Sequence, residues 1–403
     1  MFTITQTPPS PIQELPLARW TDGMSRSVLR QMLAVVAQPG ILSFAGGLPA
    51  PEMFPADDYG RALNQVLGAD SGALQYGPPF TPLKRHIVEL MARRGVDCNE
   101  AQIFITTGAQ QALDVVTRLL LDPGGEVILE EIVYTGVQQA VSPYQPRILP
   151  IDTNLYTGLN VDAVAAYLAQ GHRPAFLYAI PEAHNPLGVS MSLAKRQQLV
   201  ELAATYGLPL IEDDPYGFLR YEGEMLPPLR ALDADWVFYL GSFSKILAPA
   251  LRLGWLVAPA ELVPKLTVIK EMEDLESSQL TQRAVAAYLD AGHLPGHLAR
   301  LCTEYGRRRD AMLAALTRHF PAEARWTHPS NGMFIWVELP EHMDTAALLE
   351  TAVSHEKVAF IPGHAFALPG YGRRNCLRLN FSNCTPERIE DGIERLGKVI
   401  DSI

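Results

Sequence analysis

The chain has 403 residues, of which 48% are apolar and 19% are charged, and its formal net charge at pH 7 is −11. This length allows about two or three domains around a large buried core, and the composition is that of an ordinary globular protein. The acidic balance argues against nucleic-acid binding as the main function, and no apolar run is long enough to span a membrane.

The N-terminal region predicts an extended arm followed by a helix. Residues 1–18 are rich in proline, and a helical pattern runs from Ser25 to Ala37. The first residues, MFTITQTPPSPIQELP, carry neither the basic nor the apolar region of a secretory signal. We therefore expect a cytoplasmic protein.

The middle of the chain alternates strand-like and helical segments. Helices are predicted within residues 108–121 and over Leu193–Tyr206, where Gly207 ends the pattern. The predicted strands are IFITT (103–107), EVILEE (126–131), AFLYAI (175–180), LPLIEDD (208–214) and DWVFYL (235–240). Such alternation favours an α/β fold with a mostly parallel sheet that is flanked by helices on both faces.

A different pattern begins near residue 290 and predicts a smaller α+β domain. Its predicted elements are a helix at Leu294–Leu316, a strand at 333–339, a helix at Thr345–His355, strands at 358–363 and 376–381, and a helix from Pro386. We predict an N-terminal arm with part of the small domain over residues 1–55. The large domain is predicted over 56–289 and the small C-terminal domain over 290–403.

The four cysteines indicate free thiols rather than a disulfide framework. They are Cys98, Cys302, Cys376 and Cys384, and they form neither a Cys-x-x-Cys pair nor a cluster with histidine. A reducing compartment is therefore expected, and no metal site.

The most informative run is GSFSKILAPALRLGW (241–255), which follows the last predicted strand of the middle region. Lys245 stands at the strand exit, where partial desolvation lowers the pKa of an amine and makes it nucleophilic. Ser242, Ser244 and Arg252 supply two hydroxyls and a guanidinium, which suit a phosphate ester. This combination indicates pyridoxal 5'-phosphate (PLP) held as a Schiff base on Lys245. A lone lysine would more often be a surface residue.

Three further strand ends carry polar residues, and ligands bind beyond the carboxyl ends of parallel strands. Gly108, Ala109 and Gln110 open a helix after the first strand, which suits a phosphate. An ordinary strand-to-helix turn would look the same. Asn185 follows the strand at 175–180 within PEAHNPLG, and Asp213 ends the strand at 208–214.

These motifs resemble those of the fold-type I PLP enzymes of the class I/II aminotransferase family, in the branch of 2-aminoadipate/kynurenine-type and broad-specificity aminotransferases. The resemblance extends from FAGGLPAPEMFP near residue 44 to LRLNFSN near residue 381. It implies a PLP-dependent transferase fold with a large and a small domain.

The resemblance implies roles for the cofactor-binding residues. Asn185 and Tyr216 reach the phenolic oxygen of PLP, Tyr134 stacks on its ring, and Asp213 pairs with the protonated ring nitrogen. The spacing D-x-x-Y supports Asp213; Asp214 is the competing residue, and it points the other way if the strand continues.

The resemblance also implies substrate contacts and a shared dimer. Arg378 takes the substrate α-carboxylate in a bidentate fork, and the backbone of Gly46 lies near that carboxylate. Tyr76 crosses the interface of a homodimer and donates its hydroxyl to the partner's cofactor phosphate.

This chain departs from the family pattern at several positions. Ala109 stands where serine is frequent, and Phe80 and Thr81 stand where a glycine is usual. His184 precedes Asn185, and Leu187 replaces a threonine; the roles of both stay open, and an effect of His184 on substrate contacts is one interpretation.

The implied function is an aminotransferase with a ping-pong cycle, in which Lys245 is both the Schiff-base partner and the general acid/base. The amino donor is an L-amino acid that the sequence does not specify, and the acceptor is expected to be 2-oxoglutarate. A PLP-dependent lyase on the same fold is the alternative, since fold alone does not choose the reaction. A PLP-sensing transcriptional regulator is less favoured, because few basic residues precede the FAGG motif.

Overall fold

The structure is a computed structural model that describes residues 17–21 and 40–402. The predicted helix from Ser25 to Ala37 and nearly all of the predicted arm lie outside the described residues.

Every strand predicted in the middle and C-terminal regions is present, and the structure adds strands that the sequence patterns did not indicate. In the described part of the chain the strands are β1 Leu42–Ser43, β2 Ile103–Thr106, β3 Glu126–Glu130, β4 Arg147–Ile151, β5 Thr153–Asn154, β6 Gly158–Leu159, β7 Phe176–Ala179, β8 Leu210–Asp213, β9 Val237–Ser242, β10 Gly254–Val257, β11 Arg325–Trp326, β12 Phe334–Glu338, β13 Val358–Ala359, β14 Ile361–Pro362 and β15 Cys376–Asn380.

Seven strands form the central sheet, in the order β2-β10-β9-β8-β7-β3-β4. All neighbours run parallel except β10, which is antiparallel to both β2 and β9. Every residue of β2, β7, β8, β9 and β10 is buried, as expected for strands that are covered on both faces. The predicted mostly parallel sheet is confirmed.

Helices cover this sheet and build the rest of the molecule. The described helices are α1 Ala56–Ala69, α2 Thr81–Arg93, α3 Ala109–Leu120, α4 Thr135–Val141, α5 Val161–Ala169, α6 Leu193–Tyr206, α7 Leu229–Leu232, α8 Val263–Glu271, α9 Gln279–Asp290, α10 Leu294–His319, α11 Thr345–Thr351 and α12 Pro386–Asp401. Among them none is both long and apolar enough to cross a bilayer.

Local capping explains why the best-predicted helices begin and end where they do. The Ser192 hydroxyl accepts a hydrogen bond from the Lys195 N–H at the start of α6, and Gly207, with φ of +65°, ends it. At the start of α12 the Thr385 hydroxyl accepts from the Arg388 N–H, and Pro386 occupies the first helical position. These signals are local, so the sequence pattern was sufficient to find both helices.

The C-terminal part contains an antiparallel sheet, β11-β12-β15-β14. The N-terminal β1 pairs in parallel with β13, which brings residues near 42 beside the C-terminal part of the chain. This pairing fits the expectation that an N-terminal segment completes the small domain. The domain boundaries at 55/56 and 289/290 stay a prediction.

Candidate active site

A cavity of about 260 Å³ lies at the carboxyl edge of the central sheet, where β2, β7, β8 and β9 end. Polar and charged side chains from both halves of the sequence meet there. The walls are formed by Gly46, Gly47, Leu48, Ala109, Gln110, Leu113, Tyr134, Ile180, Asn185, Asp213, Pro215, Tyr216, Ser242, Ser244, Lys245, Arg252, Phe334 and Arg378. Of the predicted site residues, Gly108 lies just behind this wall, and Tyr76 lies outside the cavity.

Lys245 follows the end of β9 and extends its amine into the cavity. Its Nζ donates a hydrogen bond of 2.7 Å to the carbonyl oxygen of Gly47. Burial, together with the positive charges of Arg378 and Arg252, lowers the pKa of Lys245 from 10.5 to about 8. About one tenth of the amine is therefore uncharged at pH 7, far more than for an ordinary lysine, and this fraction can act as a nucleophile or general base.

Asp213 and Asp214 point to opposite faces of the sheet, as alternation along a strand demands. Asp213 faces the cavity, where its Oδ2 accepts a hydrogen bond of 2.6 Å from the Tyr178 hydroxyl. Burial raises the pKa of Asp213 to about 6. Its Oδ1 is buried and has no hydrogen-bond partner among the described residues.

Asp214 lies on the other side and belongs to a structural network. Its Oδ2 accepts hydrogen bonds from Arg94, at 2.9 Å, and from the Tyr239 hydroxyl, at 3.0 Å. All three side chains are buried. Oδ1 of each carboxylate has no hydrogen-bond partner among the described residues, but Asp214 is paired with the Arg94 cation, whereas Asp213 lines the cavity.

Arg378 enters the cavity from the middle of β15, with its guanidinium held on several sides. It donates hydrogen bonds to Asn185 Oδ1, at 2.7 Å, and to the carbonyl oxygen of Ala45, at 2.6 Å. The guanidinium carbon lies 4.1 Å from the ring centre of Phe334 and 4.7 Å from that of Phe366. Burial lowers its pKa to about 10. No carboxylate in the described part of the chain neutralises this buried cation, so the fork is available to an acidic ligand.

The anion-binding corner forms where β2 ends and α3 begins. Gly108 has φ of +85°, and a Cβ there would lie 2.6 Å from Arg252 Nη2, so only glycine fits without rearrangement. Arg252 donates to the carbonyl oxygen of Thr107 at 3.2 Å. The first N–H groups of α3, from Ala109 onward, have no partner within the helix and suit an anion.

Ser242 and Ser244 close this corner from the end of β9. The Ser244 N–H donates to the Ser242 hydroxyl oxygen at 3.0 Å, which fixes the orientation of that side chain. The antiparallel β10 explains the position of Arg252. Because the amino end of β10 lies between the carboxyl ends of β2 and β9, Arg252, two residues before β10, reaches the same edge.

Aromatic side chains complete the walls. The Tyr134 hydroxyl donates to Gln110 Oε1 at 3.4 Å, and Gln110 Nε2 donates to the carbonyl oxygen of Gly136 at 3.0 Å. Burial raises the pKa of Tyr134 to about 12, so its hydroxyl keeps its proton. Tyr216 is buried and packs edge-to-face on Phe334, with ring centres 5.8 Å apart.

Two residues that the sequence singled out lie outside this cavity. Tyr76 is 82% exposed and contributes nothing to this cavity, so its predicted role depends on a second subunit. His184, whose role the sequence left open, does not line the cavity. Its Nε2 lies 3.0 Å from Glu130 Oε2 in a buried pair. Leu187 is also buried, and its carbonyl oxygen accepts from the Thr327 hydroxyl at 2.8 Å.

Sequence reasoning missed several residues that build the site. Gly47 and Phe334 lie on segments that the motifs flank, but no spacing rule singles them out. Phe366 and Tyr178 act on Arg378 and Asp213 through contacts between different strands or loops. For Tyr178 the sequence carries a weak signal, because the hydroxyl of a tyrosine within the apolar strand at 175–180 needs a buried hydrogen-bond partner.

Comparison with known proteins identifies the family. The profile described as "Aminotransferase class I and II" matches residues 47–396. An aromatic-amino-acid aminotransferase of Thermococcus litoralis is 39% identical, covering 94% of this chain and 92% of that protein. A 2-aminoadipate transaminase of Thermus thermophilus is 38% identical, covering 94% of each chain. The crystal structure of a kynurenine aminotransferase of Pyrococcus horikoshii, in complex with PMP, has a TM-score of 0.89 at 37% identity, covering 96% of this chain and 97% of that chain.

The chain therefore belongs to the class I and II aminotransferase family and has the fold type I architecture of PLP-dependent enzymes. It is a PLP-dependent transaminase. The cavity fits the cofactor: Asp213 offers an unpartnered buried oxygen for a ring nitrogen, and Lys245 offers an amine for an aldehyde. Arg252, with the serine hydroxyls and the start of α3, forms a corner for a phosphate.

Proposed function

We propose that this transaminase moves the amino group of an L-amino acid to 2-oxoglutarate in a two-stage ping-pong cycle. The observation that carries the proposal is the convergence of Lys245, Asp213 and Arg378 on one cavity. An amine with a lowered pKa, a carboxylate with a free oxygen and an unneutralised guanidinium are what amino-group transfer from a carboxylate-bearing substrate needs.

Lys245 is the proposed general acid/base. Bound in this cavity, PLP would supply an aldehyde that accepts the amino group and a protonated ring that withdraws electrons from the substrate Cα–H bond. The lowered pKa of the Lys245 amine suits it to take a proton from a carbon atom and to return one. Its hydrogen bond to the Gly47 carbonyl oxygen keeps Nζ on the cavity side.

Arg378 is proposed to bind the acidic group of the substrate, and Arg252 is proposed to bind the acidic group of the cofactor. Arg378, clamped between Phe334 and Phe366, is the proposed site of the substrate α-carboxylate. Two parallel N–H groups of a rigid fork match a carboxylate better than one ammonium does. Arg252 and Gly108 form the proposed phosphate corner.

Asn185 and Tyr216 are proposed to hold the phenolic oxygen of the cofactor, with Tyr134 on its ring face. All three side chains line the cavity. Asn185 also accepts from Arg378, so this residue links the cofactor end of the cavity to the substrate end. The backbone at Gly46 is proposed to lie beside the bound carboxylate, which agrees with the contact of Arg378 to the neighbouring Ala45.

A homodimer with shared active sites is proposed as the working unit, with Tyr76 reaching the partner's cofactor phosphate. Its support is the exposure of Tyr76 and of the nearby Leu74, which are 82% and 71% accessible. Apolar side chains that are this exposed and this close in sequence favour a protein contact. A cytoplasmic setting is proposed because all four cysteines are present as free thiols.

Half-reactions with a panel of amino donors test the proposal. The purified enzyme is mixed with phenylalanine, kynurenine, 2-aminoadipate or alanine, and the absorbance of the cofactor is followed. We expect a donor to convert the aldehyde form to the amine form, and 2-oxoglutarate to restore it. The matched control is Arg378→Lys, which should weaken every donor. Release of ammonia with a 2-oxo acid, without accumulation of the amine form, would instead establish the lyase alternative.

A further inference from the structure

Tyr178 and Asp213 form a buried hydrogen bond that the proposed mechanism does not use. Tyr178 lies on β7 beside β8, and its side chain is fully buried and does not line the cavity. Its hydroxyl donates to Asp213 Oδ2 at 2.6 Å. In the part of the chain that the structure describes, Tyr178 is the one hydrogen-bond donor to this carboxylate.

The geometry of this bond determines which oxygen Asp213 presents to the cavity. A carboxylate can rotate about its terminal bond, and a fixed donor on one oxygen removes that freedom. Because Tyr178 holds Oδ2, Oδ1 is left without a partner and is the oxygen available to a group bound in the cavity that Asp213 lines. The hydroxyl therefore orients the group that meets the cofactor without touching the cofactor itself.

Asp213 lies in surroundings that disfavour its ionised form, so the hydrogen bond from the Tyr178 hydroxyl is important for its charge. Burial is the main influence on this carboxyl and favours the neutral acid, as does the neighbouring Asp214. The hydrogen bond from Tyr178 acts in the opposite direction and favours the anion. Tyr134 and Tyr216 are the other titratable groups at the cavity that interact with Asp213.

We propose that Tyr178 is a positioning residue for transamination, which keeps Asp213 ionised and directs its Oδ1 at the ring nitrogen of PLP. The inference rests on the proposed role of Asp213. Without the hydroxyl, the proton shared between the ring nitrogen and Asp213 moves from the nitrogen to the carboxyl. The ring then withdraws electrons less strongly, and removal of the substrate α-proton slows.

The neighbouring Tyr239 provides a matched control. It lies on β9, is fully buried, and donates to Asp214 Oδ2 at 3.0 Å on the face away from the cavity. Tyr178→Phe and Tyr239→Phe thus delete the same atom from two buried Tyr–Asp pairs, and Asp214 keeps its bond from Arg94. Only the first pair includes the carboxylate that faces the cavity.

The test uses holoenzyme loaded with PLP that is ¹⁵N-labelled at the ring nitrogen. We expect the ¹⁵N resonance of the wild type and of Tyr239→Phe to report a protonated nitrogen, and that of Tyr178→Phe to shift toward the unprotonated position. The kcat of Tyr178→Phe should fall about tenfold or more, the loss expected for one hydrogen bond to a charged group, with little change in KM. Both Phe variants should lower the melting temperature, Tyr178→Phe at least as much as Tyr239→Phe, because Asp214 keeps its bond from Arg94 whereas Asp213 keeps no donor.

Asp213→Asn separates the inference from the proposed function. If Asp213→Asn changes the resonance and abolishes turnover while Tyr178→Phe changes neither, the inference is wrong and the role of Asp213 stands. Equal shifts of the ¹⁵N resonance in Tyr178→Phe and Tyr239→Phe would also overturn the inference. They would indicate that losing either buried hydroxyl disturbs the packing of the site in the same way. An Asp213→Asn enzyme with wild-type signal and rate would refute both.

A second variant keeps the inference testable if Tyr178→Phe does not fold. Incorporation of 3-fluorotyrosine at position 178 retains the hydroxyl and makes it a stronger donor. We expect the ring nitrogen to stay protonated and kcat to stay near the wild-type value. A resonance at the unprotonated position in this variant would contradict the inference.

Discussion

The charged amine of Lys245 should make the cofactor-free protein less stable at neutral pH than a variant that lacks it. Burial lowers the pKa of this amine from 10.5 to about 8, so folding disfavours the ammonium form. A difference of this size corresponds to at most about 3 kcal/mol of stability. Lys245→Met keeps the approximate length of the side chain but loses the hydrogen bond to the Gly47 carbonyl oxygen. This loss reduces the gain in stability by about 1 kcal/mol. We therefore expect Lys245→Met to be about 2 kcal/mol more stable at pH 7.

The difference in stability between Lys245→Met and the wild type should depend on pH. Below pH 8 the amine is charged in both the folded and the unfolded chain, and the full cost of burying the charge is present. Between pH 8 and 10.5 the folded chain binds fewer protons than the unfolded chain, so the stability of the wild type rises with pH. The advantage of Lys245→Met should therefore shrink across this window and reach zero or below above it.

Urea unfolding of the two cofactor-free proteins, followed by tryptophan fluorescence between pH 6.5 and 10.5, measures the difference. Lys265→Met serves as the control, because Lys265 is exposed and should change the free energy of unfolding by less than about 0.5 kcal/mol. If the wild type is the more stable protein at pH 7, or if the difference does not depend on pH, the burial of a charged Lys245 amine is not what governs its reactivity.

Three further predictions address the rest of the site. Arg378→Lys should raise the apparent KM of every amino donor, because one ammonium cannot replace the clamped fork, and loss of a single donor would contradict this. Gly108→Ala should weaken PLP binding to the cofactor-free enzyme at least about tenfold, since the added carbon meets Arg252 and the backbone has φ of +85°; fluorescence titration with unchanged affinity would refute it. Mixing inactive Lys245→Ala chains with Tyr76→Phe chains should restore part of the activity, and no recovery after subunit exchange would refute the shared site.

Much of the fold was predictable because its signals are local. Apolar strands followed by glycine or by polar residues mark the carboxyl ends of β2, β7, β8 and β9, and parallel strands place those ends on one edge. The separation of Asp213 from Asp214 also follows from the sequence, since adjacent residues of a strand face opposite sides. The helical pattern over Leu193–Tyr206, which Gly207 ends, gave the bounds of α6 as the structure has them.

The sequence by itself therefore determined the order of the elements, the edge at which a ligand binds and most of the side chains that reach it. Seven of these side chains, among them those of Lys245, Asp213 and Arg252, belong to short sequence motifs that can be recognised from residue spacing alone. The proposed contact of Tyr76 could not be read in this way, because it would be made with a second subunit.

Only the tertiary structure decided how those side chains are held. The antiparallel insertion of β10 brings Arg252 beside Gly108, and Gly47 accepts from Lys245 across a separation of 198 residues. Likewise Arg378 is clamped by Phe334 and Phe366. These contacts depend on strand order, register and the packing of one layer on another. No local pattern encodes them, because the residues become neighbours only when the whole sheet and its covering segments are in place.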